Sequence, residues 1–390
     1  MDANGGSCWM PKEVAVTIID ADCHFETRVD RAEHPLAEWL DEIPSVTEIT
    51  REIMVGDIDH ATPEADRPSS EGIVPYLPYE NRRATQFAFG EIDDEAPGFT
   101  VSTVKERLAW MNGVGIDFAL INPGAWYLGA DYLTDDKAEA FRRCNDFLAD
   151  RLEGATDRLF PVTLLDYNDL PKAIAELRRM RARGSRAFWL EARPFNGVSP
   201  AHPSWDSFWS TATDLGMLAV LHVGRTPVDY TGWGNAGWMQ PGGGGATGFF
   251  MLGNALRHQG AEMLLASMVF GGVFDRHPNL TVITEELLLQ WVPSFVARCT
   301  SFGKGEIARR NIRTTPLIGV GDHDALHRFM PLIGDMMVFS SDYPHGEGNA
   351  TPLSALEPGL SELSDEVRSR FLGGNLLDCF ARMGDPLPVA

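Results

Sequence analysis

The sequence is short of basic residues, of cysteine and of long apolar runs. Lys and Arg number 33 against 55 Asp and Glu, for a formal net charge of -22 and a pI near 4.8. That balance excludes partners that select basic surfaces, so neither nucleic acid nor an anionic membrane is expected. A small anionic substrate is still compatible, because it needs only local positive charge from a metal or an arginine. The five cysteines, Cys8, Cys23, Cys144, Cys299 and Cys379, are scattered and make no C-x-x-C pair. Neither a disulfide framework nor a zinc knuckle is expected, and a reducing cytoplasm is the default compartment. No apolar run is long enough to span a bilayer, and no apolar signal core is read near the start.

What is present is enough for a large core: 390 residues, 44% of them hydrophobic. Three strand-like runs, far apart, each end in residues that can ligate a metal. They are Thr17–His24, Met217–His222 and Met336–Asp342, the last continuing through Tyr343-Pro344-His345. A carboxylate at the end of a buried strand is costly without a partner. Strand ends bearing His and Asp are what a parallel barrel needs to build a site at one face. In an extended chain side chains alternate, so Asp20, Asp22 and His24 share one face while Ile19, Ala21 and Cys23 share the other.

The rest of the chain keeps a strand–helix rhythm. Further strands are expected over Ile116–Asn122, Leu159–Leu165, Ser185–Ala192, Leu280–Glu286 and Asn311–Thr315, with helices between them. Repeated about eight times without an internal repeat, this pattern predicts an α/β fold, a (β/α)8 TIM barrel. One domain is expected over residues 14–390, after a polar leader at 1–13. Residues 30–100 break the rhythm: one helical pattern at Leu36–Leu40, then Pro63, Pro68, Pro75, Pro78 and Pro97. They read as an insertion or lid after the first strand. Tyr230–Gly248, rich in Gly and Trp, reads as an active-site loop, since it follows a ligand-bearing strand. Near the chain's end a Gly373-Gly374 break is expected between two helices.

Several stretches together resemble the amidohydrolase-2 branch of the metal-dependent amidohydrolase superfamily, the group of aminocarboxymuconate semialdehyde decarboxylase and γ-resorcylate decarboxylase. They include Asp22-Cys23-His24-Phe25, His222-Val223-Gly224, His277-Pro278-Asn279-Leu280, Trp291-Val292-Pro293, Ser341-Asp342-Tyr343-Pro344-His345 and Leu372-Gly373-Gly374-Asn375. The resemblance implies metal ligands at Asp22, His24, His222 and Asp342, and a homodimer. Two imidazoles and two carboxylates suit one divalent ion, zinc first, with manganese, iron or cobalt as alternatives. Strand six departs from the decarboxylases. Counting back from Trp291 puts Glu286 where they carry a His; by parity Glu286 faces the axis and Glu285 the helices. Strand four offers no Lys to carboxylate, so a bridged two-metal site is not implied.

The residues expected to carry chemistry are Asp342, Glu286 and His222. Glu286 reads as a general base or a hydrogen-bond acceptor, against a structural carboxylate. His345 reads as a substrate contact or a partner of Asp342, against a loop histidine. Arg225 offers a guanidinium fork for a substrate carboxylate, against an Arg in a surface salt bridge. Glu26, Trp126 and Trp233 complete the expected substrate pocket. His34, His60, His202, His258, His277, His323 and His327 have no such context and read as surface or capping residues. Three functions follow: decarboxylation of a small aromatic or unsaturated carboxylate, metal-dependent hydrolysis of a lactone, amide or related bond, and metal-dependent binding without turnover. The family's known reactions put decarboxylation first.

Overall fold

The structure is a computed structural model that describes residues 16–26, 29, 31–43, 103–226, 255–317, 322–345 and 348–388. The expected leader, most of the 30–100 insertion and the Tyr230–Gly248 segment with Trp233 lie outside the described residues.

Seven parallel strands neighbour one another in chain order: β1 (Ile19–Phe25), β2 (Phe118–Pro123), β3 (Leu159–Thr163), β4 (Ala187–Trp189), β5 (Leu218–His222), β6 (Val282–Glu285) and β7 (Ile312–Thr314). Every strand residue is buried. That is the state of a parallel sheet covered by helices, and it explains why these runs are nearly continuous in apolar residues. The covering helices include Val104–Val114, Lys137–Arg151, Leu170–Ala182, Asp206–Asp214, Gln259–Phe270 and Val292–Ser301. Their ends have local causes. Thr103 and Glu106 form a capping box, and Gly115, at φ 84°, closes that helix in the left-handed region. Asp169 caps the helix that carries Pro171 in its first turn. No described helix is long and apolar enough to cross a membrane.

The eighth segment, Met336–Asp342, closes the barrel without forming a regular ladder. On one side Val338 N donates to Thr314 O (3.0 Å). On the other, Ala21 N donates to Phe339 O (2.9 Å) and Asp342 N to Asp22 O (2.8 Å). The fold is therefore a (β/α)8 barrel, and its closure brings both ends of the chain's site to one seam. Asp20 holds that seam from inside, accepting from Ser341 N (2.9 Å) and Ser341 Oγ (2.5 Å). Burial pushes the Asp20 carboxyl up to about 7, against the lowering effect of those two bonds.

Two local expectations are corrected. Residues Leu36–Leu40 form hydrogen-bonded turns rather than a helix, with Ala37 N to His34 O and Trp39 N to Leu36 O. Leu36 and Trp39 are buried, and Trp39 Nε1 donates to Asp136 Oδ2 (3.3 Å), so packing sets their path. Gly373-Gly374 does not break the chain's last helices; Arg370–Gly374 is a π-helical turn running into the helix Asn375–Arg382. A Cβ at Gly373 would collide with the carbonyl of Thr17, so the glycine permits close approach to the start of β1.

Because Asp20 satisfies two buried donors of Ser341, Asp20→Ala should destabilise the protein by about 1–3 kcal/mol. Chemical denaturation of the variant checks this, and an unchanged midpoint would mean the seam does not depend on Asp20.

Candidate metal centre

The site is assembled from strand ends. Alternation along β1 brings Asp22 and His24 to the barrel interior, β5 ends at His222, and Asp342 follows the closing segment at φ 50°. His24 Nε2 lies 3.5 Å from Asp22 Oδ1, 3.6 Å from Asp342 Oδ1, 3.4 Å from Glu286 Oε1 and 3.2 Å from His222 Nε2. His222 Nε2 lies 3.0 Å from Glu286 Oε1. Two ligands of one ion, each at ~2.1 Å, stand about 3.0–3.4 Å apart. Asp22, His24, His222 and Glu286 therefore fit a single divalent cation, and His24 and Glu286 also form a second, overlapping group with Asp342 and His345. Asp22 Oδ2 is buried with no hydrogen-bond partner among the described residues, an orphan that an ion would satisfy. His24 Nδ1 lies 3.1 Å from Pro123 O; with Nδ1 donating there, Nε2 presents its lone pair to the centre.

His345 caps the cluster. Its ring stacks on His24 at 3.8 Å. Nδ1 is 3.1 Å from Asp342 Oδ1 and Nε2 is 3.1 Å from Glu26 Oε1. Burial alone would make His345 less basic, but the charge of Asp342 and hydrogen bonds to Asp342, Glu26 and Glu286 hold it well above its usual range. His24 is also raised: hydrogen bonds to Asp22 and Glu286 outweigh burial and the charge of His345. Glu286 runs the other way, since His222, His24 and His345 hold its carboxyl well below the usual range despite burial. Such mutual shifts mark a cluster of anions that binds positive charge.

The strand-six expectation is corrected in part. Glu286 reaches the centre, but Glu285 does not face the helices. Glu285 Oε2 accepts from Asn122 Nδ2 (2.9 Å), and the same amide donates to Asp22 Oδ1 (2.8 Å). Alternation fails because β6 ends at Glu285 and Glu286 takes φ 56°, which turns two successive carboxylates inward. Glu285, buried and facing the charge of Asp22, is pushed well above the usual carboxyl range. Glu286 stands among the donors themselves.

Arg225 is not on the surface. It is buried, with Nη1 2.8 Å from Asp131 and 3.5 Å from Glu191, and its guanidinium packs on the rings of Tyr127, Phe141 and Trp189. Nη1 is paired within the protein, while Nε and Nη2 have no hydrogen-bond partner among the described residues. Trp126 is buried too; Nε1 donates to Phe25 O (3.1 Å) and its ring packs on Phe147. Among the other histidines, His202 caps Ser204, whereas His277 is buried against Asp206 (3.3 Å) and is not a surface residue.

The sequence profile of the amidohydrolase family matches residues 19–376. The chain belongs to the amidohydrolase-2 family. It is an enzyme of the amidohydrolase superfamily, and solved structures share its fold. An amidohydrolase from Mycobacterium avium subsp. paratuberculosis K-10 is 19% identical, with TM-score 0.63 over 93% of this chain and 97% of its own. A 5-carboxyvanillate decarboxylase from Novosphingobium aromaticivorans DSM 12444, solved with manganese and 3-methoxy-4-hydroxy-5-nitrobenzoic acid, is 19% identical, with TM-score 0.57 over 95% and 98%. A dihydroxybenzoic acid decarboxylase from Polaromonas sp. JS666, solved with manganese and 2-nitroresorcinol, is 18% identical, with TM-score 0.56 over 94% and 97%.

Within this amidohydrolase-2 chain, sequence reasoning passed over three residues beside the donors. Asn122 ends β2 level with His24 in the strand register. Trp189 ends β4 and stacks on His222 at 4.8 Å. Arg107, fully buried, donates Nη2 to the carbonyl of His24 and packs over Tyr343. A usable signal existed for Asn122, a polar residue at the end of an apolar strand. None existed for Arg107, whose helix follows the insertion.

Gly124 lets the β2 end pass close to β1. A Cβ there would stand 2.6 Å from both Phe25 O and Glu26 Oε2. Gly124→Ala should therefore cost about 1–3 kcal/mol through local displacement, seen as a lower melting temperature. A melting temperature equal to the wild type would show that the β1–β2 ends are slack.

Proposed function

We propose that this enzyme holds one divalent ion on Asp22, His24, His222, Asp342 and Glu286 and decarboxylates a small aromatic or unsaturated carboxylic acid without an oxidant. The observation that carries the reading is His345, an imidazole stacked on His24 over the donor cluster and hydrogen-bonded to Asp342 and Glu26. Decarboxylation of such an acid needs a proton at the carbon that loses the carboxylate. The carbon–carbon bond breaks, its electron pair stays on the ring carbon and takes the proton, and carbon dioxide leaves. Nε2 of His345 is turned to Glu26 and away from the donors, so it is the nitrogen placed to pass a proton outward, and the imidazole would regain that proton from bulk water after carbon dioxide leaves. When bound, the ion would polarise substrate oxygens as a Lewis acid. The oxygen-rich donor set suits manganese better than the zinc first expected, in keeping with the manganese in two of the similar structures.

One observation favours a second reading, hydrolysis. Glu286 is a carboxylate at the centre, where the decarboxylases of the resemblance carry a His; on this reading it leaves the ion to the other donors and takes a proton from an attacking water.

The purified protein should carry about one divalent ion per chain, and His222→Ala and Asp342→Ala should each lose it, by elemental analysis. Full metal content in both variants would sink the assignment. A panel of hydroxybenzoates, unsaturated acids and lactones then separates the readings: carbon dioxide release supports the lyase, whereas ring opening of a lactone without carbon dioxide supports the hydrolase.

Glu286→Gln keeps the shape and removes the charge, so turnover should fall by about 10²-fold or more. Glu285→Gln does not serve as a control, because Glu285 shares the Asn122 amide with Asp22. Wild-type turnover in Glu286→Gln would leave the strand-six carboxylate a structural group.

A further inference from the structure

Two of the donors, Asp22 and His222, are oriented by different means. A histidine that ligates a metal ordinarily has its ring plane set by a hydrogen bond on its other nitrogen. His24 has one, to Pro123 O. His222 does not: its Nδ1 is buried with no partner among the described residues. Its ring lies instead against the indole of Trp189, at 4.8 Å and 22° between planes. Trp189 is in turn held by one hydrogen bond from Nε1 to Asn122 Oδ1, at 2.6 Å.

The rest of the Asn122 amide is spent on the other donor. Nδ2 gives one hydrogen to Asp22 Oδ1 (2.8 Å) and the other to Glu285 Oε2 (2.9 Å). The terminal torsion of an Asp is broad and roughly two-fold, so a single fixed donor decides which oxygen faces the centre. Asn122 thus reaches Asp22 directly and His222 through the indole, from a strand that supplies no ligand. Only a short side-chain amide meets all three partners. An Asp would bring a third carboxylate with no reliable donor, and a Leu would leave two buried carboxylate oxygens and an indole N–H unpaired.

We infer that Asn122 is a positioning residue for the metal centre: with Trp189 it sets the Asp22 carboxylate and the His222 ring plane before an ion arrives. This rests on the metal reading of the site and adds residues that neither ligate nor touch substrate. The test is Mn(II) binding by the chelator-stripped full-length protein, followed calorimetrically, together with the visible spectrum of the Co(II)-loaded form. Asn122→Leu should weaken Mn(II) binding by roughly 10–100-fold and alter the Co(II) bands. Trp189→Phe keeps a ring against His222 and removes the N–H; it should shift the Co(II) bands and weaken Mn(II) binding by less than Asn122→Leu. If Asn122→Leu does not fold, Trp189→Phe decides alone. Variants that match the wild type in both affinity and spectrum overturn the inference and leave the metal reading standing. A wild-type protein that takes up no Mn(II) overturns both.

Discussion

The constraint behind this structure is the burial of several carboxylates at one end of a barrel. Asp22 and Asp342 stand in two overlapping groups that share His24 and Glu286, with Glu285 and Asp20 also buried nearby. Anions taken out of water cost on the order of several kcal/mol each unless they are paired. Here compensation comes from imidazoles with raised proton affinity, from one amide and from backbone N–H groups. The proton-holding tendency of His24 and His345 shows how strongly this cavity favours positive charge. A divalent cation supplies that charge more compactly than two protons.

The barrel deals with the problem in levels. At the lowest, Asp20 binds Ser341 and ties β1 to the closing segment. One turn of alternation higher, Asn122 joins Asp22 to Glu285. At the mouth, His345 bridges Asp342 and Glu26. Each level joins residues far apart in sequence, and each uses the parallel register to bring them level, as with His24 beside Asn122 and His222 beside Glu285. The backbone is strained where the donors sit: Glu286, Leu288 and Asp342 all have positive φ. Such conformations cost about 1–3 kcal/mol each and persist when the surroundings over-determine them. The dense packing below and the shared hydrogen bonds above do so here.

The strand-six end is where the chain departs most from the decarboxylases it resembles. A carboxylate in place of an imidazole changes both the charge of the centre and the proton chemistry available to it. On the proposed readings His345 would serve decarboxylation and Glu286 hydrolysis, the kind of variety a barrel supports through its strand ends and loops.

The fold was legible from the chain because its causes are local or periodic. Buried parallel strands read as apolar runs, helices carry their caps, and the ends of β1, β5 and the closing segment carry their His and Asp openly. Strict alternation was enough to turn Asp22 and His24 inward. Tertiary structure decided what alternation could not express. β6 ends at Glu285 and Glu286 itself takes a positive φ, so strand alternation no longer sets its side chain and both carboxylates reach the interior. Packing buried Arg225 against aromatic rings and Asp131, and no pattern along the chain foretells that pairing. Asn122, Trp189 and Arg107 acquire their roles only from neighbours on other strands. The residue types able to bind a cation are a property of the sequence, whereas their shared centre and the groups that orient them arise from barrel closure, which alone brings those strand ends within hydrogen-bond reach.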